Sequence, residues 1–116
     1  VPGERVCVLG DRRELGAWGM PQGRRAAPLR LQTNSHLYPR WTMLHPIFFE
    51  MTEEEVRDGS FCVEYKYVVE AAGGLRWESS IGNRCIDLRC REPSVWFITD
   101  ARWDAGGGAL EGPGPV

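Results

Sequence analysis

Apolar and polar residues alternate with a period of two along residues 61–70 (FCVEYKYVVE). Successive side chains of a β-strand point to opposite faces of a sheet, so this alternation predicts a strand with one buried face. The predicted inward set is Phe61, Val63, Tyr65, Tyr67 and Val69, and the predicted outward set is Cys62, Glu64, Lys66 and Glu70.

Four other short runs are rich in apolar residues and are bounded by turn-forming residues. They predict strands at residues 5–10, 41–51, 84–90 and 94–99. Pro46 lies inside the second run and indicates a break or an edge position, because proline cannot donate a ladder hydrogen bond.

One short helical turn is expected near residues 52–58. Thr52 followed three residues later by Glu55 has the pattern of a capping box, and Gly59 suits a helix end. The acidic run over 53–55 is then a charged, solvated first turn, not a catalytic pair of carboxylates.

The number of short strands, the close turn signals and the lack of a long amphipathic helix predict an all-β fold, an antiparallel β-sandwich. Residues 1–104 are expected to form the domain. Residues 105–116 are rich in glycine and proline and predict a flexible tail or linker.

Composition excludes several classes of partner. The chain has 116 residues, enough for one domain, and a net charge of −2 with a pI near 5.7. Binding to nucleic acid or to an anionic membrane surface relies on excess Lys and Arg, so neither partner is expected. No apolar run approaches the roughly 20 residues that span a bilayer.

The four cysteines are Cys7, Cys62, Cys85 and Cys90, and no pair has the spacing of a zinc site. A domain of this size needs no disulfide for stability. We therefore expect free thiols, no metal and an intracellular setting in preference to secretion.

Catalytic patterns are also lacking. His36 and His45 have no flanking motif, and no nucleophile elbow, zinc-protease helix or phosphate-binding glycine loop occurs. The sequence predicts neither an enzyme active site nor a cofactor.

Tryptophan is the unusual feature, with residues Trp18, Trp41, Trp77, Trp96 and Trp103. Trp41 and Trp96 lie in apolar runs, where core packing explains them. Trp18 and Trp77 lie among small and polar residues in predicted loops. Each either closes one end of the sandwich as a plug or is an exposed platform for a ligand.

Polar neighbours favour the platform. Lys66 points outward on the strand before Trp77, Glu78 follows Trp77 directly, and Asn83 ends the same segment. Indole stacks on the apolar C–H face of a sugar, while an amine, a carboxylate and an amide satisfy its hydroxyls. Two tryptophans set at an angle would fit a curved glucan.

The segments VCVLGDRRELGAW, EYKYVVEAAGGLRWESSIGNR and FITDARW together resemble the starch-binding domains of carbohydrate-binding module family 20. The family pattern of LG-x-W, a central tryptophan, an E-Y-K-[FY] strand, W-E and N-R occurs in order. Here these are 15–18, Trp41, 64–67, 77–78 and 83–84.

This resemblance implies an immunoglobulin-like sandwich that binds α-1,4-glucans of starch, amylopectin or glycogen, or maltooligosaccharides, without catalysis. The domain would target the larger protein that carries it to these glucans, and that protein can itself be a glucan-active enzyme. Trp18 and Trp77 would stack on glucose rings, Lys66, Glu78 and Asn83 would hydrogen-bond hydroxyls, and Trp41 would lie in the core.

The chain departs from the family pattern at its start, where the family usually has a first strand. An open sheet edge and weak self-association through it are therefore expected. Tyr38 is a candidate for a second sugar site. Two alternatives stay open: a protein-interaction sandwich in which the same tryptophans form a hot spot, and a fragment of a glucan-modifying enzyme.

Overall fold

Antiparallel strands dominate the computed structural model, which describes residues 5–18, 29–31, 33, 40–43, 46–71, 74–89, 92–100, 102–106 and 108–114. The strands are β1 (Arg5–Gly10), β2 (Leu29–Arg30), β3 (Ser60–Ala71), β4 (Gly74–Trp77), β5 (Arg84–Arg89), β6 (Val95–Thr99) and β7 (Ala109–Gly114). A 3₁₀ segment covers Arg13–Trp18, and a short helix, α1, covers Glu53–Asp58. The predicted all-β fold is confirmed.

The long strand β3 organises the main sheet. Its C-terminal half pairs with β1 on one side and β4 on the other, and its N-terminal half pairs with β5. The short strand β2 continues the sheet beyond β1, and β6 and β7 form a separate two-stranded sheet. All of these pairings are antiparallel.

The core lies on one face of β3, as the period-two pattern predicts. Its buried cluster is Val8, Leu15, Phe61, Val63, Tyr65 and Leu88. Trp96 of β6 packs against this cluster, so the second sheet lies over the first as in a sandwich. Trp41, expected in the core, is only half-buried.

Helix α1 begins with the predicted capping box. The backbone N–H of Glu55 donates to Thr52 Oγ1 at 3.2 Å, and that of Thr52 donates to Glu55 Oε1 at 2.9 Å. Gly59 ends the helix with a left-handed backbone (φ 74°).

Two predictions fail. Within the described part of 41–51, only Thr42 makes a β-bridge. Residues 46–50 form no strand, and Glu50 is instead fixed by Arg12 and Arg13. The expected flexible tail is wrong for Ala109–Gly114, which form β7 against β6. The low complexity of this segment concerns its side chains, whereas pairing with β6 uses backbone groups, which every residue of β7 except Pro113 supplies in full.

Cys7, Cys62 and Cys85 are in no disulfide, with Cys7 buried and the other two exposed; Cys90 lies outside the described residues. In the part of the chain that the structure describes, no helix is long and apolar enough to cross a membrane.

Candidate functional site

Trp18 and Trp77 lie side by side. Their ring centroids are 6.5 Å apart and their planes are tilted by 49°. Both side chains are half-buried, so each retains surface that a ligand can reach. The two residues, far apart in sequence, thus form an angled pair of indoles, which we call the tryptophan pair.

Trp18 is held in place by an unusual backbone. Gly16, Ala17 and Trp18 all have positive φ, at 81°, 49° and 65°. Only glycine adopts such angles without cost, and non-glycine residues that do so cluster at functional sites. Buried Leu15 anchors the segment, and the N–H of Ala17 donates to Arg12 O at 3.0 Å. The local strain is compensated by these contacts.

Trp77 is the last residue of β4, not a loop residue as predicted. It is paired with Val68, which is itself paired with Cys7 across β1. Both of these neighbours are completely buried. Trp77 therefore projects from the sheet face opposite the main core, over a small apolar patch that supports its ring.

Lys66 projects from this same face, as predicted from its alternation with Tyr65 and Tyr67. Its Nζ donates to the backbone carbonyls of Glu78 at 2.8 Å and Ile81 at 3.1 Å. An ammonium group has three N–H donors. Two of them hold the segment that follows Trp77, and the third can serve a ligand.

Glu78 corrects a prediction. Its carboxylate was expected to face a sugar, but the side chain is buried, with the residue 1% exposed. Oε1 accepts hydrogen bonds from Arg84 Nε at 2.9 Å and Tyr67 N at 3.0 Å. Oε2 accepts from Arg84 Nη2 and from Asp104 N at 2.7 Å. The carboxylate is an internal anchor of the site.

The reason is the strand geometry itself. Adjacent residues at the end of a strand point to opposite faces of the sheet. Because Trp77 belongs to β4 and faces outward, Glu78 turns inward beneath it. The prediction of a loop over 77–83 missed the alternation of Trp77 and Glu78, which is the feature of the sequence that indicates the inward direction of Glu78.

Charges in this network stabilise one another. Burial acts to raise the pKa of Glu78, but hydrogen bonds from Arg84, Tyr67 and Asp104 outweigh it and hold that pKa below its ordinary value of 4.5. The hydrogen bond to Glu78 likewise raises the pKa of Arg84. Glu78 therefore stays ionised at neutral pH.

Asp100 extends the network into the core. Arg84 Nη1 lies 3.2 Å from Asp100 Oδ1, and Asp100 Oδ2 accepts from Tyr65 at 2.8 Å and Tyr67 at 2.6 Å. Burial, followed by the hydrogen bond to Asp100, raises the pKa of both tyrosines. The inward face of β3 is thereby linked to the end of β6.

Asp104 was not predicted as a site residue from the sequence. It follows Trp103 after β6, with a positive φ of 56°, and its Oδ1 accepts from Ser80 N at 2.7 Å. This hydrogen bond to Ser80 lowers the pKa of Asp104. No local sequence pattern indicates this role of Asp104, because its partners Ser80 and Glu78 lie 24 and 26 residues away in the chain.

Asn83, the fifth predicted residue, is exposed and directly precedes β5. The structure thus brings Trp18 and Trp77 together and leaves the Asn83 amide at the surface. Lys66 contacts the segment that follows Trp77 in the chain. Tyr38, the candidate for a second site, lies outside the described residues.

A polar depression near α1 is a competing location, lined by Arg12, Arg13, Glu14, Glu50, Met51, Thr52 and Glu55. Its arginines already pair with its carboxylates: Arg12 with Glu55 at 2.7 Å and Arg13 with Glu50 at 2.8 Å. These ion pairs account for its charge. Across the described residues, no group of three or more His, Cys, Asp or Glu could hold a metal ion.

Comparison with known proteins supplies one match. A family model described as a starch binding domain matches residues 1–95. No curated protein and no solved structure matches the chain.

Proposed function

The chain belongs to the starch binding domain family, whose members are non-catalytic carbohydrate-binding modules, and from this premise we propose that Trp18 and Trp77 stack on an α-1,4-glucan. The observation that carries the proposal is the tryptophan pair, with planes tilted by 49° and centroids 6.5 Å apart. Aromatic faces favour the C–H surfaces of sugars, and an α-1,4-linked chain curves. Two tilted plates suit neighbouring glucose rings of such a chain.

Polar groups around the pair would orient the sugar. The remaining donor of Lys66 can reach a hydroxyl, and the amide of Asn83 both donates and accepts. Glu78 contributes indirectly, because its buried carboxylate holds the segment that follows Trp77 through hydrogen bonds inside the protein. Lys66 and Asn83 would thus face the sugar at a shallow outer surface, while Glu78 supports that surface from inside the protein.

Targeting is the role we propose for this binding. A shallow site that buries little of its ligand gives a weak affinity, roughly micromolar to millimolar, or about −4 to −8 kcal/mol. A polymer with many repeated sites raises the effective concentration of anything tethered to it. A larger protein carrying this module would therefore stay close to starch, amylopectin or glycogen.

A titration with maltoheptaose, followed by calorimetry and tryptophan fluorescence, tests the proposal. The matched control is a β-1,4-linked cello-oligosaccharide, which has the same rings and hydroxyls in a straighter chain. Binding of the first with little binding of the second is the expected result. If maltoheptaose produces neither heat nor a change in fluorescence, the glucan proposal is wrong.

The alternative, a protein-interaction hot spot, would use the same indoles. It predicts that a glucan array gives no signal while Trp18→Ala and Trp77→Ala abolish capture of a protein partner. The maltoheptaose titration therefore distinguishes the two.

Weak self-association through a sheet edge is a further proposal. β2 pairs with Cys7 and Val8 of β1, and Leu31 N donates to Val6 O at 2.8 Å, so much of that edge of β1 already has a partner. The exposed edge on this side of the sheet is therefore β2, whose two residues offer few backbone groups to a second copy, so we expect any dimer to be weak. Sedimentation at high concentration tests for a weak dimer, and a strict monomer would contradict it.

A further inference from the structure

Two exposed cysteines lie on neighbouring strands. Cys62 is in β3 and Cys85 is in β5, and both are free. In the register of these strands, Cys62 lies opposite Asp87, and Glu64 lies opposite Cys85. The two cysteines are therefore diagonal neighbours on one face of the sheet, the face that also carries Lys66.

Backbone hydrogen bonds show whether the facing residues of β3 and β5 at this point are hydrogen-bonded or non-hydrogen-bonded pairs. Glu64 N donates to Asp11 Oδ1 at 3.1 Å, and Glu64 O accepts from Asp11 N at 3.0 Å. Both backbone groups of Glu64 thus point away from β5. Glu64–Cys85 and, two residues along, Cys62–Asp87 are consequently non-hydrogen-bonded pairs, in which facing side chains come closer together.

The twist of a sheet shortens one diagonal of each such pair. Cys62 and Cys85 lie on one such diagonal, and the Cys85 thiol is close enough to act on the protonation of Cys62. A disulfide needs adjacent sulfurs and a small Cβ separation. Diagonal neighbours lie somewhat farther apart than a disulfide spans, so closing the bond must draw β3 and β5 together locally.

We propose that Cys62 and Cys85 form a modification site, an exposed dithiol that closes to an intramolecular disulfide when it meets a small disulfide such as oxidised glutathione. The proposal is independent of sugar binding. It rests on the register of β3 against β5 and on the exposure of both thiols.

The chemistry is ordinary thiol–disulfide exchange. The hydrogen bond to Cys85, followed by desolvation and the charges of Cys85 and Asp87, raises the pKa of Cys62 to about 12. Cys62 therefore keeps its proton, and Cys85 is the attacking residue: its thiol gives a proton to water, and its sulfur attacks one sulfur of oxidised glutathione. A mixed disulfide forms at Cys85, and one glutathione thiolate leaves.

The second step closes the ring. With the Cys85 charge removed, the Cys62 thiol gives its proton to the released thiolate or to water. The Cys62 sulfur then attacks Cys85 Sγ, and the second glutathione leaves. Two protein thiols are oxidised and one glutathione disulfide is reduced to two thiols. The bond joins β3 to β5 one residue after Arg84, the partner of Glu78.

Incubation of the folded protein with a glutathione redox buffer, followed by non-reducing peptide mapping, tests this proposal. We expect a Cys62–Cys85 crosslink and loss of two hydrogens from the protein mass, reversed by reductant. Cys90→Ser removes a competing thiol and should leave the crosslink intact, while buried Cys7 stays unmodified. Cys62→Ser should instead trap a stable glutathione adduct at Cys85.

An arylarsenic(III) reagent, which bridges two close thiols, provides a second readout. One arsenic bound across Cys62 and Cys85 supports the proposal, and Cys62→Ser or Cys85→Ser should abolish it. Both serine variants change exposed positions, so folding is preserved. Separate glutathione adducts on the two cysteines of the wild type, or a crosslink from Cys85 to Cys90 alone, would overturn it.

Discussion

The carboxylate of Glu78 accepts two hydrogen bonds from the guanidinium of Arg84, six residues along the chain, with both side chains inside the protein. Two backbone N–H groups complete the contacts of the carboxylate. The pair closes the segment between β4 and β5 from below, while Lys66 fixes it from the opposite face. The Trp77 end of the tryptophan pair is therefore rigid before any ligand arrives.

Glu78→Gln should lower the free energy of unfolding by about 3 kcal/mol, because it removes the carboxylate that pairs with two nitrogens of the buried Arg84 guanidinium and leaves only Asp100 to balance its charge. Urea denaturation measures the change. Glu54→Gln, at an exposed position of α1, is the matched control and should stay within about 0.5 kcal/mol of the wild type. A Glu78→Gln variant of unchanged stability that fails to bind maltoheptaose would show that Glu78 contacts sugar directly.

Trp18→Ala and Trp77→Ala should each weaken maltoheptaose binding by about 1–3 kcal/mol, by analogy with aromatic stacking on planar ligands. Calorimetric titration gives the affinity, and circular dichroism confirms folding. The control is Trp103→Ala, which removes an indole that is 39% exposed and stacks with Arg76. Equal losses of affinity for all three variants would argue against a site centred on the tryptophan pair.

Lys66 is the sole lysine of the chain, so its chemistry can be followed individually. Maltoheptaose should slow acetylation of Lys66 by an amine-reactive ester, because a bound hydroxyl occupies its third donor. The α-amine is the internal reference, and a cello-oligosaccharide is the control ligand. Acetylation of Lys66 at the same rate with and without saturating maltoheptaose would remove it from the site.

Lys66→Met keeps the aliphatic stem and removes the ammonium. We expect weaker glucan binding and, because two carbonyls lose their donor, faster amide hydrogen exchange in the segment around Glu78 and Ile81. Hydrogen-exchange mass spectrometry compares this segment with α1, which should not change. Unchanged exchange would mean that Lys66 does not order the segment.

Acid should destabilise the protein through the same network. The pKa values of Glu78 and Asp104 lie below their ordinary 4.5 and 3.8. A carboxylate whose folded pKa is depressed contributes stability above its unfolded pKa, and this is lost as pH falls toward the folded pKa. The free energy of unfolding should therefore be flat near neutrality and decline below about pH 4.5, where Glu14 and Glu55 add to the slope.

Asp104→Asn separates one contribution from the rest. The amide oxygen can still accept from Ser80 N, but it does not titrate in this range. The decline with acid should be shallower than in the wild type when urea denaturation is repeated at several pH values. An identical slope would mean that Asp104 does not contribute to the acid sensitivity.

The sequence by itself determined the features that depend on near neighbours. The alternation along 61–70 predicted the buried face of β3 and the outward direction of Lys66, because side-chain direction in a strand follows residue parity. Thr52, Glu55 and Gly59 predicted α1, since capping bonds join residues a few positions apart. The motifs around Trp18, Trp77 and Asn83 indicated a starch-binding family, which the match over residues 1–95 establishes.

Only the tertiary structure decided which polar groups remain available to a ligand. Glu78 follows Trp77 in sequence, yet it faces inward because β4 extends to Trp77 and pairs with Val68. Asp104 supports the same segment from 26 residues beyond Glu78, and β7 forms where composition suggested a tail. Strand registers and long-range hydrogen bonds depend on which distant backbone groups meet. No local pattern of residue types encodes that choice.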